Sequence, residues 1–104
     1  MLFRSKQQTA LMKASAAGHP EVVHLLMDAQ ANLEESDKRQ RTALILASHR
    51  GHQEVVRLLI KAKPNLEAKD NQKHTALIKA HLAGHKEIKN LLISAGASRC
   101  RFRW

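Results

Sequence analysis

Apolar residues along this chain fall in short clusters separated by polar stretches, and the clusters come in pairs. Leu11 and Ala14, Leu44 and Ala47, and Leu77 and Ala80 each lie three residues apart, which marks a short helix of about two turns in each case. Two residues before each leucine stands a threonine, Thr9, Thr42 or Thr75, whose hydroxyl can accept a hydrogen bond from the open amides of a helix start. Gly18-His19, Gly51-His52 and Gly84-His85 then break the helix, because glycine readily takes the left-handed conformation that ends one. A second helix begins near Pro20, whose ring is tolerated in a first turn, and it carries Val22, Val23, Leu25 and Leu26 at spacings of three and four. Residues 34–41 and 67–74 are polar and lack helical periodicity. The pattern predicts helix, turn, helix and extended loop, three times over, in an all-α fold.

The period is 33 residues. Thr9-Ala10-Leu11 returns as Thr42-Ala43-Leu44 and Thr75-Ala76-Leu77, Glu21 as Glu54 and Glu87, and Leu25-Leu26 as Leu58-Leu59 and Leu91-Leu92. Residues 9–41 and 42–74 agree at 17 of 33 aligned positions. A unit of this length, opening one helix with Thr-x-Leu and the next with Gly-His-x-Glu-Val-Val-x-Leu-Leu, resembles the ankyrin repeat. The resemblance implies a solenoid of stacked helix pairs with hairpin-like finger loops projecting at right angles. It divides the single domain 1–104 into repeats 9–41, 42–74 and 75–104, with an N-terminal flank, 1–8, and a basic tail, 99–104. One copy cannot bury its own apolar face, so three is about the minimum for stability.

Several positions depart from the family pattern. Its usual Thr-Pro-Leu-His opening has Ala10, Ala43 and Ala76 for the proline, and Met12, Ile45 and Ile78 for the histidine, which exchanges a hydrogen-bonding side chain for apolar packing. The glycine expected after the second helix, where φ is positive, is Gln30 in copy one and Lys63 in copy two, and only Gly96 keeps it. Lys89 replaces Val23 and Val56 at a position that in the family faces the next repeat, which reads as a terminal cap with a polar outer face. At the other end, either Leu2 and Phe3 fold over the flank of copy one, or that flank pairs with a second molecule, or the chain is a segment of a longer array.

Composition narrows the function classes. Hydrophobic residues make up 43% of the 104 residues but aromatics only 3%, so the core is aliphatic. Neither a secretory leader nor a stretch of membrane-spanning length is recognisable, and a single cysteine, Cys100, accords with a reducing compartment; the expected location is cytoplasmic or nuclear. Enzymatic chemistry finds no support. The four glycines all fall at helix ends, leaving none for a phosphate loop, and Cys100 between two arginines has neither a base nor a positioned substrate. His81 and His85 have the spacing of a helical metal pair, but Gly84 puts a turn between them, and no metal or other cofactor is expected. His19, His52 and His85 recur with the repeat and read as turn-stabilising residues.

What remains is binding. Lys and Arg outnumber Asp and Glu by 18 to 9, a net charge of +9 that attracts acidic proteins, nucleic acid or anionic surfaces. The family resemblance places the partner on the finger loops and the inner helix surface, which in this chain carry Lys6, Lys38, Arg39, Arg41, His49, Arg50, Asn71 and His74. The positive cluster is densest in the central copy, and the sequence therefore points to an acidic protein segment anchored by Arg39, Arg41 and Arg50, because arginine pairs bidentately with carboxylates. The alternative is charge-driven, non-specific nucleic-acid association through the basic face and the 99–104 tail, although the body lacks an aromatic stacking platform or a groove-reading motif. In that tail Phe102 and Trp104 alternate with arginine, a pattern that also suits a partner-docking strand or a membrane-surface anchor.

Overall fold

The computed structural model describes residues 9–97. Six helices alternate between two layers: α1 (Ala10–Ala17), α3 (Ala43–Arg50) and α5 (Ala76–Ala83) form the inner row, and α2 (Pro20–Asp28), α4 (Gln53–Lys61) and α6 (Lys86–Ser94) the outer. Each inner helix packs on its own outer helix, and neighbours pack along each row. No strand occurs among the described residues.

The recurring threonines start the inner helices as their spacing predicts. Thr9, Thr42 and Thr75 sit in extended backbone, and their hydroxyls accept from the amides of Met12, Ile45 and Ile78 at 3.2 to 3.3 Å. Those same three residues, where the family usually has histidine, are fully buried. Every residue of α3 from Ala43 to Ser48 is buried, because this helix has a neighbour on both sides. Ala14, Ala47 and Ala80 keep the inner helices close. In the outer row Val55 and Ile88 are covered by the preceding copy, whereas their equivalent Val22 is 45% exposed.

A histidine joins each copy to the one before it. His52 Nε2 lies 2.8 Å from the Ala16 carbonyl and His85 Nε2 lies 3.1 Å from that of His49, so one residue type closes the same step twice. A carbonyl can only accept, so Nε2 carries the proton in both rings. The ring lies over the glycine that ends the preceding inner helix. A Cβ on Gly18 would sit 2.5 Å from the His52 ring, and one on Gly51 would sit 2.7 Å from that of His85. These glycines thus serve two needs, a φ of +79° or +84° and room for the ring. Gly84 has the same left-handed backbone, φ +80°, but open space beside it.

The outer helices close with a second left-handed residue. Gln30 and Lys63 hold φ of 63° and 54° where Gly96 holds 104°. In copy one the Ala31 amide reaches back to Leu26 and the Gln30 amide to Met27, the paired bonds of a Schellman close. Copy three repeats them from Ala97 to Leu92 and from Gly96 to Ile93. In copy two Pro64 has no amide, so only the Lys63 to Ile60 bond forms.

Two stability measurements check this reading. Gln30→Gly and Lys63→Gly should each stabilise the fold by about 1 kcal/mol, since a left-handed non-glycine residue costs roughly that much, raising Tm by about 4–8 °C for a domain of this size. An unchanged Tm in both would mean that these turns relax without strain. Gly18→Ala and Gly84→Ala share the backbone strain, but only the first collides with a histidine ring. Gly18→Ala should therefore be the more damaging by about 1 kcal/mol or more in denaturant unfolding, and equal costs would contradict the ring contact.

Candidate partner-binding groove

Between each outer helix and the next inner helix the chain makes a finger built on one aspartate. Asp37 is 2% exposed, and its Oδ1 accepts from the amides of Arg39 and Arg41, both at 2.9 Å. The Asp37 carbonyl accepts from Gln40 and its amide donates to the Arg41 carbonyl, which closes a three-residue hairpin-like loop. Gln40 then takes the left-handed position that such loops require, with φ 62°. The 70–74 finger repeats every bond: Asp70 Oδ1 accepts from Gln72 and His74 at 2.9 Å, and Lys73 has φ 64°. The two fingers are tied by the Asn71 amide donating to the Arg39 carbonyl at 2.8 Å.

Each buried aspartate needs a cation, and the two copies supply it differently. In the 37–41 finger the Arg41 guanidinium closes on Asp37 Oδ2 through Nε and Nη2, both at 2.9 Å. His74 occupies the corresponding place in the next finger, and the cation comes instead from Lys79, one turn into α5, where copy two has Leu46. Lys79 Nζ lies 3.2 Å from Asp70 Oδ2 and donates to Gln72 Oε1 at 2.7 Å. Burial pushes the Asp70 carboxyl up, but the amides of His74 and Gln72 and the Lys79 ammonium outweigh it, and the group is held below the usual range.

Between the two fingers and the ends of α3 and α5 runs an open groove of about 380 Å³. Arg39, Asn71 and Gln72 line its finger side, His49 and Lys79 its helix side, and Arg41, Asp70, Ile45 and Leu46 its base. The residues singled out from sequence separate here. Arg39, Arg41, His49 and Asn71 meet in the groove, whereas Lys38 is exposed on the finger and Arg50 is exposed at the end of α3. Arg41 lines the groove with its guanidinium already held by Asp37. His74 is half-buried at a finger base and does not line it. Lys6, the 1–8 flank with Leu2 and Phe3, and the 99–104 tail lie outside the described residues.

The uncommitted cations shape the field. Lys38, Arg39 and Arg50 pair with no carboxylate among the described residues. Burial first, and then Lys79, Arg50, Arg41 and His85, hold His49 below the ordinary histidine pKa of 6.5. At neutral pH its ring is therefore uncharged in a site otherwise rich in positive charge. Sequence reasoning missed Lys79, and the signal for it was the loss of arginine at position 74.

Among the described residues, no group of three or more His, Cys, Asp and Glu side chains is placed to hold a metal ion, and no helix is long and apolar enough to cross a membrane. His85 Nε2 is turned to the His49 carbonyl, and His81 Nδ1 lies 3.4 Å from Lys89 Nζ. No curated protein matches the chain. A family model of ankyrin repeats in three copies matches residues 11–101, and the chain belongs to the ankyrin repeat family, whose repeats generally mediate protein–protein interactions and are typically non-catalytic.

Proposed function

We propose that this protein binds an acidic segment of a protein partner in the groove between its 37–41 and 70–74 fingers. The observation that carries the reading is the split between committed and uncommitted cations. Arg41 and Lys79 are neutralised by the buried Asp37 and Asp70 and build the fingers, while Arg39, Lys38 and Arg50 keep their charge for an incoming group. Arg39 and His49 line the same open groove of about 380 Å³, together with Ile45 and Leu46. Carboxylates entering there meet the Arg39 guanidinium, which can pair with them through two parallel hydrogen bonds. Lys38 on the finger and Arg50 at the end of α3 do not line the groove, but they extend the positive field that steers such a segment in.

Arg39→Glu with Arg50→Glu is the direct test, because neither side chain holds the fold together. Binding of a Glu- and Asp-rich peptide, followed by calorimetry, should weaken at least about tenfold, or 1.4 kcal/mol. Undiminished affinity would remove the groove from the reading. Protons supply a second arm of the same titration. His49 is held below 6.5 in the free protein by burial and by neighbouring positive charge, so a bound carboxylate raises its pKa and binding takes up protons. Affinity should therefore increase as pH falls from about 7.5 towards 6, and His49→Gln should flatten that slope. A wild-type slope of zero would place the ligand away from His49.

A further inference from the structure

We propose that the groove between α2 and α4, on the opposite side of the stack from the fingers, takes the C-terminal segment 99–104 of a second copy of this chain. The proposal is independent of the finger groove reading and uses a different surface.

The α2–α4 groove differs in character from the finger groove. It is a shallow, open depression of about 470 Å³ lined by Pro20, Glu21, His24, Leu25, Glu54 and Leu58. Leu25 and Leu58 are repeat equivalents and form an apolar strip with Pro20, and Leu25 is 67% exposed. A leucine so exposed beside other apolar groups marks a contact surface more than scattered exposure does. Two carboxylates edge the strip. Glu54 is 71% exposed and meets Arg57 only at 3.9 Å, while Glu21 is exposed and makes no ion pair among the described residues. The nearby His24 turns Nδ1 to Asp28 at 3.2 Å, away from both. On a chain of net charge +9 this strip is a local acidic and apolar site, the reverse of the finger groove.

The chain contains a segment of matching chemistry. Residues 99–104 read Arg-Cys-Arg-Phe-Arg-Trp, with three arginines alternating with Cys100, Phe102 and Trp104. A period of two sends alternate side chains to opposite sides of an extended segment. Its apolar side supplies the aromatic anchors that dominate small interfaces, and its arginines suit the flanking carboxylates. Phe102 and Trp104 are also two of the three aromatic residues in the whole sequence.

Chain length selects a second copy over the same molecule. Ser98 alone separates Ala97 from the segment, and one residue spans at most about 3.6 Å. The groove runs along α2 and α4 from Pro20 and Glu54 to Leu25 and Leu58, and α6, which Ala97 follows, does not line it; a step from one helix to the next is about 8–10 Å. One residue does not bridge a step of that length, so the segment as a whole cannot lie in the groove of its own molecule. A second molecule meets no such restriction.

Trp104 is the sole tryptophan, so it reports its own environment. Under reducing conditions, which keep Cys100 from linking chains, raising the concentration about a hundredfold should blue-shift Trp104 emission from that of a free tryptophan amide. The sedimentation mass should rise above 11.7 kDa in step. Leu25→Lys and Trp104→Ala alter an exposed leucine and the last residue, and each alone should stay at the single-chain mass. Mixed, they should form a complex in which the blue shift returns, because the only tryptophan then belongs to the chain with the intact tail and the damaged groove. Glu21→Lys with Glu54→Lys gives a second groove variant at exposed positions, should Leu25→Lys lose helical signal. Solvent-like emission at every concentration would overturn the proposal. So would a blue shift insensitive to dilution or to both groove variants.

Discussion

His52 laid over Gly18, and His85 over Gly51, set the spacing and rotation between copies, and the placement of the fingers depends on that step. Each ring satisfies a carbonyl at the end of the preceding inner helix while filling the place a Cβ would occupy. Apolar burial supplies most of the driving force for stacking, since an isolated helix pair has no other way to cover Leu44, Val55 or Leu59. Burial is not directional. The histidine bond and the close approach it permits choose one register out of the many that aliphatic side chains tolerate. Once that register is fixed, the fingers stand side by side, and the Asn71 amide meets the Arg39 carbonyl.

The fingers show how a basic surface is built without losing order. A buried aspartate gathers two amides of its own loop, and one cation balances it, whether Arg41 from within the loop or Lys79 from the following helix. Removing either cation would leave a buried carboxylate uncompensated, which costs far more than an exposed ion pair contributes. The remaining cations carry no such duty, and of them Arg50 adds to the burial and the Lys79 charge that lower the His49 pKa. The cations of this face are therefore divided between those that hold the loops, Arg41 and Lys79, and those that pair with no carboxylate among the described residues, Lys38, Arg39 and Arg50.

Much of this was legible in the sequence because it is local and periodic. The threonine starts, the glycine ends and the strained Gln30 and Lys63 turns follow from residue types at a 33-residue spacing, and the structure reproduces all three. The finger interiors were less legible. Gln40 and Lys73 hold positive φ with no glycine to signal it, because the loop closure around the aspartate imposes the conformation. Asp37 and Asp70 look in sequence like acidic exceptions on a basic face, yet they are the buried centres of the fingers. Arg41 was equally ambiguous, since a chain order does not say whether an arginine pairs four residues back or waits for a ligand. Lys79 escaped notice because its partner lies in another element. The family pattern gives the address of the groove, and only the packed structure tells which of its charges are spoken for.

The histidine step is tested most directly by a double-mutant cycle between Gly18 and His52. Gly18→Ala, His52→Ala and the pair are unfolded in denaturant, and the cost of the alanine at position 18 is compared in the two backgrounds. If the ring occupies the space of that Cβ, removing it relieves the collision, and the cost should fall by about 1 kcal/mol or more, leaving only backbone strain. Costs that add to within about 0.3 kcal/mol would show the two residues to be uncoupled, and would contradict an account in which this contact sets the register of the stack.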